Sequence, residues 1–78
     1  MSYILCKAQA TKEMNECLLN TVTEQIEIVR MEMDGCYNQF DYDNYKAEMR
    51  QYKAIKKVAS IALEQVNEFI KENQFYLN

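Results

Sequence analysis

The chain has 78 residues, 27 % of them charged, a net charge of −3, one Gly, and neither Pro nor His. That length allows one small domain, whose core alone seldom supplies more than about 3–5 kcal/mol. The missing histidine excludes Ser–His and Cys–His catalytic pairs, one glycine excludes a glycine-rich phosphate loop, and the acidic balance argues against a nucleic-acid binder.

Three cysteines, Cys6, Cys17 and Cys36, form no C-x-x-C pair and have no histidine with which to complete a zinc set. No apolar run approaches the length of a membrane span, and no basic segment precedes the short apolar stretch at Tyr3–Cys6. These features predict a cytoplasmic protein with reduced cysteines. Cys17, beside Leu18 and Leu19, is expected to be a small buried residue, and Cys36 to lie in a turn.

The first element is expected over about residues 4–34. Its clearest signal is Leu19, Val22, Ile26, Val29 and Met33, which alternate steps of three and four. That is the helical period and close to the spacing of a seam against another helix. Met14 and Leu18 extend the stripe backwards less regularly. Ser2 and Thr11 are both candidate caps for its start.

The pattern stops at Asp34-Gly35. Glycine commonly follows a helix C-terminus because it tolerates positive φ. Residues 35–41 then suffice to reverse the chain, and Asp41 and Asp43 suit the start of a second helix, where carboxylates accept free N–H groups and offset the dipole. The run "DYDNYK", Asp41 to Lys46, begins like a calcium loop. It fails where that loop needs an oxygen ligand and a glycine, because Tyr45 and Lys46 stand there.

The second helix is expected over about residues 42–73. Tyr45, Tyr52, Ala59 and Val66 recur every seven residues. Ile55, Ala62 and Phe69 form a second row, and Met49, Leu63 and Ile70 a third. Lys46, Lys53, Ser60 and Asn67 lie opposite, with Arg50, Lys57, Glu64 and Lys71 beside them, as a solvated back, and Ala54, Ala59 and Ala62 allow a neighbouring helix to approach closely. Ile61 falls off the apolar face. These ten row residues are the candidate partner-binding set.

The fold class expected is all-α: one antiparallel two-helix hairpin over residues 1–78. One opposing helix cannot cover so wide an apolar face, so a second copy or a helical partner protein is expected to complete it. Paired carboxylates such as Glu13/Glu16 and Glu24/Glu27 fall on or near the polar face and read as solvated charge. No cofactor, metal, nucleic acid, membrane or small-molecule substrate is expected, and the chain is read as non-enzymatic.

Two segments, "TEQIEIV" (Thr23 to Val29) and "NYKAEMRQYKAIKKVASIALEQV" (Asn44 to Val66), together with the turn at Gly35, carry a family resemblance. The layout resembles the small helical-hairpin co-chaperones of type III secretion needle subunits. Gln25-Ile26-Glu27, Asn44-Tyr45 and Ala54-Ile55 stand where that family has similar pairs. The resemblance implies a cytoplasmic adaptor that, with a helical-repeat chaperone, holds the needle subunit's amphipathic helix and prevents early polymerisation. The alternative is a small homodimeric phage or mobile-element protein that inhibits a host protein by binding it.

Overall fold

The computed structural model describes residues 3–73, which form two α-helices, α1 (Tyr3–Asp34) and α2 (Gln39–Asn73), packed against one another. The molecule is an antiparallel hairpin whose Cα atoms extend over 59 × 14 × 14 Å. An uninterrupted helix needs sequence without breakers, and neither helix contains Pro or Gly. Among the described residues there is no strand.

The centre of the seam is where the periodic residues of both helices meet. Ile26, Val29 and Met49 form the buried cluster, with Met33, Tyr45 and Tyr52 packed against it. Val22 and Ala59 are buried further along, and Ala8 closes the far end. Towards its start α1 keeps the three-and-four spacing through Asn15, Lys12, Ala8 and Leu5, each buried or half-buried. Met14 and Leu18, expected to continue the stripe, are instead exposed. They sit one position before Asn15 and Leu19, and a shift of one residue turns a helical side chain by about 100°.

Cys17 also departs from expectation: it is exposed rather than buried, because it lies two residues from the seam position at Leu19. Cys6 is exposed and Cys36 half-buried. Ser2, one of the two candidate caps for α1, lies outside the described residues. Thr11, the other, is inside the helix and donates its hydroxyl to the carbonyl of Lys7 at 2.9 Å.

The turn is shorter than expected, because α2 begins at Gln39 instead of 42. Asn38, not Asp41, caps it. The Asn38 Oδ1 accepts the backbone N–H of Asp41 at 2.8 Å, while its Nδ2 donates to Asp41 Oδ2 at 2.9 Å. Asp41 thus supplies the negative charge of the first turn. Asn38→Ala is expected to lower hairpin stability by about 1 kcal/mol, the usual cost of losing such a cap. A thermal melt followed by circular dichroism checks this, and an unchanged midpoint would remove Asn38 as the cap.

Gly35 ends α1, but not through the left-handed conformation expected of it: no described residue, glycine included, has positive φ. Its N–H bonds to the carbonyl of Met31 at 3.2 Å, and the N–H of Cys36 bonds to that of Met33 at 3.2 Å. A Cβ at Gly35 would meet only the carbonyls of Met31 and Glu32, at 3.8 and 3.9 Å, which is ordinary contact. The tightened last turn reverses the chain without a special backbone conformation.

Candidate protein interface

The seam divides the three apolar rows of α2. Tyr45, Tyr52, Ala59 and Val66 face α1, as do Met49, Leu63 and Ile70, all buried or half-buried. The row Ile55, Ala62 and Phe69 is left at the edge: Ile55 and Phe69 are exposed and Ala62 half-buried. Seven of the ten candidate residues therefore cover α1 within the hairpin, and three remain on an open flank.

That flank is wider than the row. Val58, one turn from Ile55 and Ala62, is 67 % exposed. The exposed Met14, Leu18 and Ile28 of α1 bring a matching stripe alongside. Between the helices, Leu18, Ile55 and Val58 with Asn15, Ala54 and Ala59 line an open groove of about 280 Å³. The groove shows that the loose stripe of α1 and the unused row of α2 emerge on the same side of the molecule.

The polar positions within this side carry one charge, Glu48, which stands one heptad before Ile55 and accepts the Tyr52 hydroxyl at 2.9 Å. On α1 the stripe runs Thr11, Met14, Leu18, Thr21, Gln25 and Ile28, at alternating steps of three and four. On α2, Ala47, Gln51 and Gln65 complete it between the apolar residues. Every Lys, Arg, Asp and Glu between residues 8 and 31 of α1 lies off this stripe. Charges gather on the other sides, where Arg30 pairs with Glu27 at 2.8 Å and Lys12 approaches Glu16 at 4.0 Å. Those two exposed pairs contribute little to stability.

A long strip of large exposed apolar side chains is not how a small protein ordinarily meets water; it marks a surface that another molecule covers. The signal for Val58, Met14, Leu18 and Ile28 was present in the sequence as a second three-and-four pattern, displaced from the first by roughly one residue. It is weak there, because Thr21, Gln25, Gln51 and Gln65 dilute it.

The turn offers a second, more polar hollow, lined in part by Glu32, Cys36, Asn38, Asp41 and Tyr45. The Glu32 carboxylate, aided by burial and by Asp41, holds the Tyr45 phenol above the usual tyrosine range. Tyr52 is pushed the same way by the hydrogen bond that its hydroxyl donates to Glu48 Oε1 at 2.9 Å. Both phenols therefore stay neutral, and Tyr52 acts as a donor at the rim of the core. Among the described residues no group of three His, Cys, Asp or Glu side chains is placed to hold a metal ion. No described helix is long and apolar enough to cross a membrane.

Comparison with protein-family models, with curated proteins and with solved structures finds no match to this chain.

Proposed function

We propose that the protein is a non-enzymatic interaction module that holds an amphipathic helix of another protein against its apolar flank. The observation that supports this most is the coincidence, on one side of the hairpin, of Met14, Leu18 and Ile28 with Ile55, Val58 and Phe69, all exposed. A helix laid along the groove would bury these side chains and place its own polar face outward, the usual helix-in-groove mode.

In its finer form the reading is a cytoplasmic co-chaperone of the type III needle-subunit kind. That form rests on the segments Thr23 to Val29 and Asn44 to Val66. Ile26, Val29, Met49, Tyr52 and Ala59 in those segments are spent on the hairpin's own seam. On this proposal those residues build the hairpin, while Ala54, Ile55 and Val58 of the same segment line the flank that receives the client.

The test uses a fluorescent peptide with leucine at each a and d position of four heptads and Lys and Glu elsewhere, followed by anisotropy. Wild-type protein is expected to bind it. Ile55→Asp is expected to weaken binding at least about tenfold, because a carboxylate at the groove has no partner when covered. Lys53→Ala, on the charged back, is expected to bind like wild type. Equal behaviour of the three proteins would sink the assignment of the flank.

A further inference from the structure

A helix laid along the whole flank covers Glu48 as well as the apolar side chains. We infer that the client helix carries a lysine or arginine that pairs with Glu48, about one heptad from the side chain it seats over Ile55 and nearer the turn. The inference rests on the reading of the flank as the interaction surface and names the chemistry of its occupant.

The flank changes character along its length. The row that α2 leaves open runs Phe69, Ala62, Ile55 and then Glu48, each a heptad apart. On α1 the matching row runs Ile4, Thr11, Leu18, Gln25 and then Glu32. Both rows thus end in a carboxylate at the turn. The two carboxylates converge, since both act on the Tyr45 phenol, which packs against the core between the helices. From Ile55 back to Glu48 is about 10 Å along the helix axis.

No cation of the hairpin neutralises them. Neither Glu32 nor Glu48 stands in an ion pair. The residues three and four positions from Glu48 are Asn44, Tyr45, Gln51 and Tyr52, none of them cationic. Arg30, one residue beyond the seam position Val29, pairs with Glu27 at 2.8 Å instead. Lys7 follows the flank two heptads before Thr21, but it is about 37 Å along α1 from Glu32.

Glu48 is half-buried, and its one protein partner is the Tyr52 hydroxyl at 2.9 Å. In the open hairpin, water completes its solvation; under a client helix that water is withdrawn. A covered carboxylate without a cation is strongly unfavourable. A client apolar throughout would therefore lose at Glu48 part of what it gains over Ile55 and Val58. A cation on the client removes that loss. It also fixes which end of the client lies over the turn, because at the far end the same two rows present Ile4 and Phe69, both exposed and apolar.

The test uses three fluorescent peptides at nanomolar concentration, each with leucine at the a and d positions of four heptads. Glutamine fills the other positions, except that e and g of the first heptad are Lys, Gln or Glu. Anisotropy is expected to rank Lys above Gln above Glu, with about tenfold between the extremes. Glu48→Gln keeps an acceptor for Tyr52 and is expected to narrow that spread to about twofold. Glu48→Lys is expected to invert the order. Glu13→Gln removes the same charge from an exposed position off the flank, and is expected to leave the spread as it is in wild type.

Equal affinity of the three peptides for wild type overturns the inference and leaves the flank's role intact. So does a spread that survives Glu48→Gln as fully as it survives Glu13→Gln. A second copy of the chain is the competing occupant. If light scattering finds a dimer that Val58→Glu dissociates and that the Lys peptide does not displace, the flank belongs to that copy and the inference falls. If none of the three peptides binds, the reading of the flank falls with it.

Discussion

Val29→Asp is expected to abolish the hairpin: its helical circular dichroism signal should drop to that of an unfolded chain. Val29 is 2 % exposed and sits at the centre of the cluster with Ile26 and Met49. A carboxylate there is taken out of water beside side chains that offer it no positive charge. The nearby Tyr52 hydroxyl is already donating to Glu48. An unpaired buried carboxylate costs several kcal/mol, and the lost methyl contacts add about 1 kcal/mol. A core of this size seldom holds more than about 3–5 kcal/mol in reserve, so one substitution suffices.

The control is Met31→Asp, two residues away and 72 % exposed. It adds the same charge to the same helix, near the C-terminal end where a negative group meets the helix dipole unfavourably, and should cost about 0.5 kcal/mol. If Val29→Asp melts within a few degrees of Met31→Asp, the cluster around Val29 is not what holds the helices together.

How much of this molecule can be read from its residues depends on which ones occupy the seam. In the second half of α1 the seam positions Val22, Ile26, Val29 and Met33 are all apolar, and periodicity locates both helix and buried face. In the first half, Lys12 and Asn15 occupy seam positions while Met14 and Leu18 do not. Hydrophobicity therefore points about 100° away from the face that packs. Lys12 can serve there because its stem covers apolar surface while its ammonium reaches water.

In α2 the difficulty is the reverse, an excess of signal. Three apolar rows lie side by side, and the chain alone does not say which of them α1 will cover. That choice depends on the facing helix, whose own stripe is narrow. It covers the rows of Tyr45 and Met49, leaving Ile55, Ala62 and Phe69 at the open edge. The same limit applies at the turn. Asn38 and Asp41 are both competent caps, and the hydrogen bond from the Asp41 N–H to Asn38 Oδ1 shows which one starts the helix.

Ala59→Leu is the second substitution with a large expected effect, because it acts on spacing instead of polarity. Ala59 is 1 % exposed, on the same helix turn as the half-buried Ala62 and beside Leu18 and Asn15 at the edge of the groove. Its side chain is buried against α1, so a leucine there brings three more carbons into the seam. Overpacking of this kind costs about 1–3 kcal/mol, a large share of what so thin a core supplies. Leucine is nearly as good a helix former as alanine, so the loss cannot come from helix propensity. Ala54→Leu separates the two effects, because Ala54 is exposed on the outer side of the same groove and a leucine there meets solvent. Thermal melts at one fixed protein concentration are expected to rank wild type and Ala54→Leu close together, with Ala59→Leu well below. The reverse order would mean that the helices do not pack closest at Ala59 and that the division between seam and open flank is misplaced.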